Sequence, residues 1–378
     1  MGMRTLVISD LHLGSMRGSD LLRRPELRAP LLEALGGVDR LVILGDGLEL
    51  RENAQRDAAE LAGPVFADIG RALGPDGELV LVGGNHDHGL VAGWIEGRLQ
   101  TEPPGFLELE QRMSPEDAGP LAVRLAERAT PARLSVAYPG VWLRDDVYAI
   151  HGHYSDLHTT VPTFERLAAG AMARWVVHLP EHARADAYEA VLAPIYAWMH
   201  TLVQRSENGA LTGGAGASAR AWVVLAGEGR REHPLRAAAL GAGYSAAVAA
   251  INAIGLGPID RDLSGQALRK GGLGGMREVL RRLDVTAPWV LWGHSHRSGP
   301  WLRDDLAEWT TVAGTRLLNT GSWCYQPHFL TAVPNQSPYW PGTAIRLGDS
   351  GPPELIRLLG DRGHDELRPV KGLKAARG

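Results

Sequence analysis

The sequence predicts an α/β fold with parallel strands, interrupted by a large and mostly helical insertion. Short runs of β-branched and leucine residues alternate with helical patterns over the first part of the chain, as in strand–helix–strand units. Residues 158–285 differ, because they are rich in alanine and carry long helical patterns. We therefore predict one domain in two parts, residues 1–157 and 286–360, with the insertion between them and a flexible tail over residues 361–378.

The predicted strands are short apolar runs bounded by glycine, aspartate or proline. A helix is predicted over residues 20–36, because leucines recur there at helical spacing until Gly36 and Gly37. The alternation of the first three strands with helices predicts that these strands pair in parallel. In chain order the strands are RTLVIS (4–9), RLVILG (40–45), ELVLVG (78–83), RLSVAYP, VYAI, PWVLWG (288–293), RLLNTG (316–321) and TAIRL (343–347).

One helix of the insertion carries a broad apolar stripe, and Pro194 is expected to kink this helix. The stripe packs against its own domain or a second subunit, or it forms a groove for a lipid, and the sequence leaves these alternatives open. A second segment, residues 237–259, has no charged residue, but its alanine and glycine content favours a buried or lid helix over a membrane span. The stripe consists of Tyr188, Val191, Leu192, Ile195, Tyr196, Met199, Leu202 and Val203.

The composition argues against several classes of protein. The formal net charge is -4, and lysine and arginine form no dense block, so we expect no nucleic-acid partner. The single cysteine, Cys324, excludes an intrachain disulfide and a thiolate metal cluster. The N-terminal apolar run is interrupted by Asp10 and indicates a strand rather than a signal peptide. These features predict a cytoplasmic location, with membrane association through the insertion as an alternative.

Five of the predicted strands end in side chains of the kinds that bind metal ions. In open α/β sheets, ligands bind at the carboxyl ends of the strands, so these side chains are expected to meet. A carboxylate can bridge two cations, and imidazole and amide groups complete each shell. This ligand set favours two divalent ions such as Mn²⁺, Fe, Zn²⁺ or Ni²⁺, with manganese preferred. Gly45, Gly84 and Gly293 each precede a candidate ligand, where the chain must turn sharply off its strand. The polar residues are Asp10, His12, Asp46, Asn85, His86, His151, His294 and His296.

The motifs DLH, GDGLE, GNHD, HGH and GHSH occur in this order, each after a predicted strand. In order and strand context they resemble the motifs of calcineurin-like metallophosphoesterases, over residues 4–157 and 286–347 but not over the insertion. The resemblance implies a four-layer α/β/β/α sandwich and a dinuclear metal centre. Within the superfamily, GDGLEL, GHSHRSGP and LLNTGSW are similar to segments of the UDP-2,3-diacylglucosamine pyrophosphohydrolase branch.

The resemblance also implies a role for each matching residue. His86 would protonate the leaving oxygen, and Asp87 would orient His86. His153 and Arg297 are candidates for contact with the substrate phosphate. Of the two histidines in HGH, His151 is favoured as the ligand because it directly follows the strand. The first metal would be held by Asp10, His12, Asp46 and His296, and the second by Asn85, His151, His294 and the same Asp46, which would bridge the two ions.

The implied activity is hydrolysis of a phosphomonoester, phosphodiester or diphosphate bond by a hydroxide held between the two metals. The branch resemblance implies a nucleotide-diphosphate or lipid-linked substrate, although the longer insertion departs from the lid of that branch. Two other hypotheses remain open. One is a nuclease of the same superfamily, against which the acidic charge balance argues. The other is a non-catalytic scaffold whose insertion binds a partner. The insertion is also a candidate for peripheral contact with a membrane.

Overall fold

The computed structural model describes residues 3–101, 105–205, 234–262 and 264–369, which form two compact units. The first unit comprises Met1–Gly152 and Thr286–Gly378, and the second comprises His153–Val285. The side chains of residues 202–205 and 234–242 lie outside this description. An α-helix or a pair of α-helices separates each of the first four strands of the first unit from the next, which confirms the predicted α/β fold class.

A ten-stranded mixed sheet forms the centre of the first unit. Its strands are β1 (Thr5–Ile8), β2 (Arg40–Leu44), β3 (Glu78–Val82), β4 (Glu110–Met113), β5 (Arg133–Arg144), β6 (Val147–Ile150), β7 (Trp289–Trp292), β8 (Arg316–Asn319), β9 (Thr343–Leu347) and β10 (Glu354–Arg357). Their order is β10-β9-β1-β2-β3-β5-β6-β7-β8, and β4 pairs with β5 off this path. Parallel pairing of the first three strands is confirmed, because β1 pairs in parallel with β2, and β2 with β3.

Ten α-helices are present in the described part of the chain, and four of them belong to the second unit. The helix predicted over residues 20–36 begins later than expected, because Leu21–Arg23 form a 3-10 turn and the α-helix begins at Pro25. Arg24 between them is extended, since the helical conformation is disfavoured before proline. The helices are α1 (Pro25–Ala34), α2 (Gln55–Leu73), α3 (Ala92–Leu99), α4 (Pro115–Ala118), α5 (Pro120–Ala129), α6 (Phe164–Trp175), α7 (Ala185–Arg205), α8 (Pro234–Ala253), α9 (Gly265–Arg282) and α10 (His364–Leu367).

Two strands, β4 and β10, are absent from the sequence prediction because they carry little apolar surface. The residues of β4 are EQRM, and only Met113 among them is buried. β10 lies at the end of the sheet order, and each of its residues is exposed or half-buried. A strand with one neighbour does not need the continuous apolar run by which a fully buried strand is recognised.

The sheet folds over along β5. The first half of this strand pairs in parallel with β3, whereas its second half pairs antiparallel with β6. In a flat sheet the carboxyl ends of β2 and β6 would therefore lie at opposite edges. They meet instead, because Nδ1 of His151, just after β6, lies 2.8 Å from the carbonyl oxygen of Leu44 at the end of β2.

The two halves of the sheet share one hydrophobic core. Val42 and Val80, from β2 and β3, belong to the same buried cluster as Val147 and Leu291, from β6 and β7. Alternate residues of a strand point to opposite faces, so one face of each half is turned inward. The halves thus pack face to face, and this packing brings the strand ends together. The four-layer sandwich stays a prediction.

In the second unit, the apolar stripe predicted for α7 is buried as far as its side chains are described. Tyr188, Val191, Leu192, Ile195 and Tyr196 are buried within this single chain. They are therefore not available to a lipid or to a second subunit. Leu202 and Val203 lie outside the described side chains.

The charge-free segment over residues 237–259 forms most of α8 and the loop after it. From residue 243 onward its side chains are mostly exposed, and only Val248 and Ile259 are buried. The expectation of a buried helix is therefore wrong for this portion, whereas a role as a lid stays a prediction. Among the described helices, none combines the length and apolar character that crossing a membrane requires.

A half-buried histidine links two elements of the second unit. Nε2 of His158 lies 2.8 Å from the hydroxyl of Tyr188, whose ring stacks on Tyr154 with centroids 4.6 Å apart. Burial, together with the positive charge of Arg282, lowers the pKa of His158 to about 4. At neutral pH the imidazole is therefore uncharged, and its Nε2 shares a hydrogen bond with the Tyr188 hydroxyl.

We expect this histidine to make the protein less stable in mild acid. As the pH falls below 6.5, His158 becomes protonated in the unfolded chain, whereas in the folded protein it stays neutral until about pH 4. The free energy of unfolding therefore decreases as the pH falls through this window. Urea denaturation measures the decrease in the free energy of unfolding from pH 7 to pH 5. This decrease should be about 2 kcal/mol smaller in His158→Gln than in the unchanged protein, because glutamine keeps a hydrogen-bond acceptor but does not titrate. His178→Gln, at an exposed position, is the matched control and should behave like the unchanged protein. Equal losses in His158→Gln and the unchanged protein would contradict this expectation.

Candidate metal centre

The predicted ligands of the first unit come together in one buried cluster. Three groups of side chains each place their ligand atoms within 4.8 Å of one another. Asp46 belongs to two of these groups, and so does His12. The groups are Asp10, His12 and His296, then His12, Asp46 and His86, and finally Asp46, His151 and His294.

The side chains predicted to hold the first metal face one another through their ligand atoms. Nε2 of His12 lies 3.2 Å from Nε2 of His296. The same nitrogen of His296 lies 3.3 Å from Oδ1 of Asp10, and that of His12 lies 3.7 Å from Oδ2 of Asp46. Four predicted ligands from three strand ends therefore surround one small space.

The side chains predicted to hold the second metal also converge on Asp46. Nε2 of His151 lies 3.3 Å from Oδ2 of Asp46 and 3.2 Å from Oδ1 of Asn85. Nδ1 of His294 lies 3.2 Å from the same oxygen of Asn85. Because Oδ2 of Asp46 approaches both His12 and His151, its carboxylate is placed where a bridging ligand would have to be.

The backbone at these residues adopts an unusual conformation. Non-glycine residues seldom have positive φ, because the side chain then crowds the backbone. In the described part of the chain seven such residues occur, and five of them are candidate ligands. Left-handed residues at strand ends curl the chain abruptly, which turns each side chain back over the end of the sheet. Such strain concentrates at functional sites. The five are Asp10, His12, Asp46, His294 and His296, with φ between 46° and 65°.

The glycines before the ligands leave space for ligands from other strands, a reason that differs from the sharp turn that the sequence predicts. A Cβ on Gly45 would lie 2.2 Å from Nδ1 of His151, and one on Gly84 would lie 2.3 Å from Oδ1 of Asp46. A Cβ on Gly293 would lie 2.6 Å from Oδ2 of Asp10. Only Gly45 also has a positive φ, of 82°. Close approach between strand ends is therefore the shared reason for the three glycines.

No family model and no curated protein matches this chain. Among solved structures, the chain is similar to a dimetal phosphatase from Danio rerio, with 13% sequence identity and a TM-score of 0.33. The match covers 94% of this chain and 99% of the other. What the cluster does must therefore be argued from its own side chains.

Glu49 is a residue of the cluster to which the sequence assigned no role. Its carboxylate lies 2.9 Å from Nδ1 of His86 and 3.0 Å from Nδ1 of His12. Although burial alone would raise the pKa of Glu49, the adjacent His86 and His12 hold it well below its usual range. Glu49 thus fixes both imidazoles, so that Nε2 is the nitrogen each one presents to the centre. Glu49 is the last residue of the motif GDGLE, and this position was the feature of the sequence by which it could have been recognised as part of the site.

The structure gives Asp87 a different contact from the predicted one. Its carboxylate accepts hydrogen bonds from the backbone N–H groups of Gly84 at 2.6 Å and Gly47 at 2.7 Å. Burial, followed by the nearby charge of Asp46, raises the pKa of Asp87 to about 6. The predicted orienting of His86 falls to Glu49, while Asp87 holds together the two loops that carry Asp46 and Asn85.

The cluster is rich in negative charge, and its histidines respond to it. Burial opposes a charge on His12 and His151, but neighbouring carboxylates raise the pKa of His12 to about 9 and that of His151 to about 10. Burial would also raise the pKa of Asp46, yet the surrounding histidines hold it well below its ordinary value. Without cations, protons on the imidazoles balance the carboxylates. Cations at the same place would displace those protons.

The donor set fits divalent cations. Oδ1 of Asp10 is buried and, among the described residues, accepts no hydrogen bond, since Nε2 of His296 at 3.3 Å lies outside hydrogen-bonding geometry. An unpaired buried carboxylate oxygen is costly unless a cation or a donor meets it. Two carboxylates, four imidazoles and one amide, without thiolates, suit the borderline ions that the sequence predicts.

The amide of Asn85 has two orientations with different consequences. With Oδ1 turned inward, the oxygen lies 3.2 Å from Nε2 of His151 and from Nδ1 of His294, so the three atoms could hold one cation together. With the nitrogen inward, it donates to both histidines and to Asp46 at 3.2 Å each. The first orientation suits a loaded centre, and the second suits an empty one.

The two predicted substrate contacts have other surroundings. Arg297 is buried, and its guanidinium donates to Asp304 at 2.7 Å and lies over the ring of Trp309. It anchors the loop after His296 through this ion pair, and its contact with phosphate stays a prediction. His153 belongs to the second unit, where it is buried beside Tyr154 and Tyr196. Its contact with a substrate stays a prediction.

Proposed function

We propose that the chain is a phosphoric ester hydrolase of the calcineurin-like metallophosphoesterase superfamily that uses two divalent metal ions. One observation carries the proposal: seven nitrogen and oxygen ligands from five strand ends converge in two sets, with the Asp46 carboxylate between them. The left-handed backbone at five of these residues supports it, because such strain persists where a site requires it.

In this proposal the first ion is held by Asp10, His12, Asp46 and His296, and the second by Asp46, Asn85, His151 and His294. When bound, two such ions lower the pKa of a water molecule toward neutrality and offset the charge of a phosphoryl group. The chain holds each imidazole in the required orientation. For example, Nδ1 of His151 donates to the Leu44 carbonyl at 2.8 Å, which leaves Nε2 to face the centre.

His86 is the proposed acid for the leaving oxygen. Its ring lies edge-on to that of His12, with centroids 4.5 Å apart, so it stands beside the first set of ligands. Because Nδ1 donates to Glu49, Nε2 of the neutral ring can only accept a hydrogen bond. Burial and the nearby charge of Arg51 lower the pKa of His86. We therefore infer that His86 gains its second proton when a phosphate anion binds, and then delivers it from Nε2.

Hydrolysis of bis(p-nitrophenyl) phosphate tests the proposal. We expect chelator-treated protein to be inactive and Mn²⁺ to restore activity, because the ligand set is empty without it. His86→Ala should lower kcat by about 10²- to 10⁴-fold while two ions per chain remain bound, because an acid is lost but no ligand. His182→Ala, at an exposed position of the second unit, is the control. Activity that survives complete metal removal, or His86→Ala behaving as the unchanged protein, would refute the proposal.

The same assay on several substrates separates the finer proposals. The branch resemblance leads us to propose a nucleotide-diphosphate or lipid-linked substrate. That substrate class fails if diphosphate substrates react no faster than simple aryl monoesters and diesters. Rapid cleavage of single-stranded DNA would favour a nuclease instead. We also propose that the second unit acts as a lid, as an interface for a partner or as a membrane contact.

A further inference from the structure

Arg51 is a buried cation beside the proposed second metal position. It follows the motif GDGLEL, and its side chain is 8% exposed. Its Nε donates to the carbonyl oxygen of Asn85 at 3.2 Å, and its backbone N–H donates to Glu49 at 3.0 Å. Arg51 is therefore fixed against the loop that carries Asn85. It is also bonded to Glu49, the residue that orients His86.

The same guanidinium faces the amide group of Asn85. When the amide oxygen of Asn85 points toward Arg51, it accepts a hydrogen bond from Nη2 at 2.8 Å. The amide nitrogen then donates into the cluster, to His151, His294 and Asp46. When the oxygen points into the cluster instead, the amide nitrogen faces Nη2, and two hydrogen-bond donors oppose each other. The amide oxygen of Asn85 can therefore either accept a hydrogen bond from Arg51 or point into the cluster, but it cannot do both.

We propose that Arg51 competes with the second metal ion for the Asn85 oxygen and so acts as a positioning residue that weakens this metal position. The inference rests on the proposed function, because it requires Asn85 to be a ligand. In the empty centre Arg51 keeps the amide oxygen turned away from the cluster, and the amide nitrogen donates to Oδ2 of Asp46 at 3.2 Å. Binding of the second ion then requires the amide to rotate and Arg51 to give up a charge-assisted hydrogen bond.

The competition acts on one metal position only. Asn85 is within reach of His151, of His294 and of the Asp46 carboxylate that both sets share. Among the described residues it makes no hydrogen bond to Asp10, His12 or His296, which belong to the first set alone. The two positions should consequently load in sequence, the first at lower metal concentration than the second. Such a difference makes the fully loaded protein depend on metal supply through a residue that is not itself a ligand.

Zinc binding to the full-length, metal-depleted protein tests this competition, with calorimetry as the readout. In Arg51→Gln, the glutamine oxygen can accept from the Asn85 nitrogen and stabilise the metal-binding orientation. The second Zn²⁺ should then bind about tenfold more tightly, with the first unchanged. Arg51→Met removes the charge and supplies no acceptor, so its gain should be about threefold. Arg56→Gln, at an exposed arginine, is the control.

Each outcome decides the inference. Unchanged or weaker second-site binding in Arg51→Gln overturns it, and equal gains in Arg51→Gln and Arg51→Met also do, because charge alone would then explain the effect. If neither variant folds, the side-chain ¹⁵NH₂ signal of Asn85 in the unchanged protein decides. That signal, identified by its loss in Asn85→Asp, should shift only with the second equivalent of Zn²⁺. A protein that binds no zinc refutes the proposed function as well, whereas two bound ions without an Arg51 effect refute this inference alone.

Discussion

Replacing Asp46 by asparagine is expected to abolish phosphoester hydrolysis, with a loss of about 10³-fold or more. Its Oδ2 lies 3.7 Å from Nε2 of His12 and 3.3 Å from Nε2 of His151, so one carboxylate serves both sets of ligands. Asparagine preserves the shape but removes the charge that both cations would share. Metal analysis of the purified variant should accordingly show one ion or none per chain, where the unchanged protein holds two.

Two further measurements make the Asp46 result specific. Asp145→Asn removes an exposed carboxylate from the same unit and should leave activity and metal content unchanged. Oδ1 of Asp46 accepts the backbone N–H of His86 at 2.8 Å, and an amide oxygen can still do so. The variant should therefore remain folded, with a circular dichroism spectrum like that of the unchanged protein. Full activity in Asp46→Asn would exclude the dinuclear mechanism.

Gly45→Ala is expected to have the largest effect on stability. Gly45 has a φ of 82°, and a Cβ there would lie 2.2 Å from Nδ1 of His151. The variant therefore combines backbone strain with a clash against a histidine that is fully buried and bonded to Leu44. We expect urea denaturation to show a loss of about 2–5 kcal/mol. Because His151 must move, binding of the second metal should weaken as well.

Gly74 provides a matched control for the Gly45 prediction. It also has a positive φ, of 73°, but a Cβ on it would meet nothing within 4 Å. Gly74→Ala thus carries backbone strain without the clash and should cost about 1–3 kcal/mol, less than Gly45→Ala. The difference between the two variants measures the packing of Gly45 against His151. Similar losses of unfolding free energy in the two variants would show that His151 can move aside at little cost, which would contradict our expectation.

The predicted strands and ligands could be recognised because each is marked locally. A buried strand is a run of apolar residues, and the candidate ligands stand directly after such runs in motifs with characteristic spacing. Gly45, Gly84 and Gly293 were recognisable for the same reason. These are properties of a few consecutive residues. The sequence therefore supplied the α/β class, eight of the ten strands and the side chains that meet in the cluster.

What the sequence did not supply depends on contacts between distant residues. The reversal of strand direction at β5 depends on which strands pair, and no run of consecutive residues marks it. Asp87 stands next to His86 in sequence, yet Glu49, 37 residues away, makes the contact. Arg297 follows a ligand but is held by Asp304 and Trp309. At His86, therefore, a neighbour in sequence was assigned the role that a neighbour in space performs.

The wide separation of the ligands in sequence has a consequence for biosynthesis. The first five candidate ligands lie between Asp10 and His151, whereas His294 and His296 follow β7, after the whole second unit. When only the first 152 residues have left the ribosome, the set of ligands is therefore incomplete, because His294 and His296 are still missing. Neither cation can complete its set of ligands until β7 has emerged and inserted beside β6. In the cell, metal acquisition should be a late event of chain maturation rather than the nucleus around which the nascent protein folds.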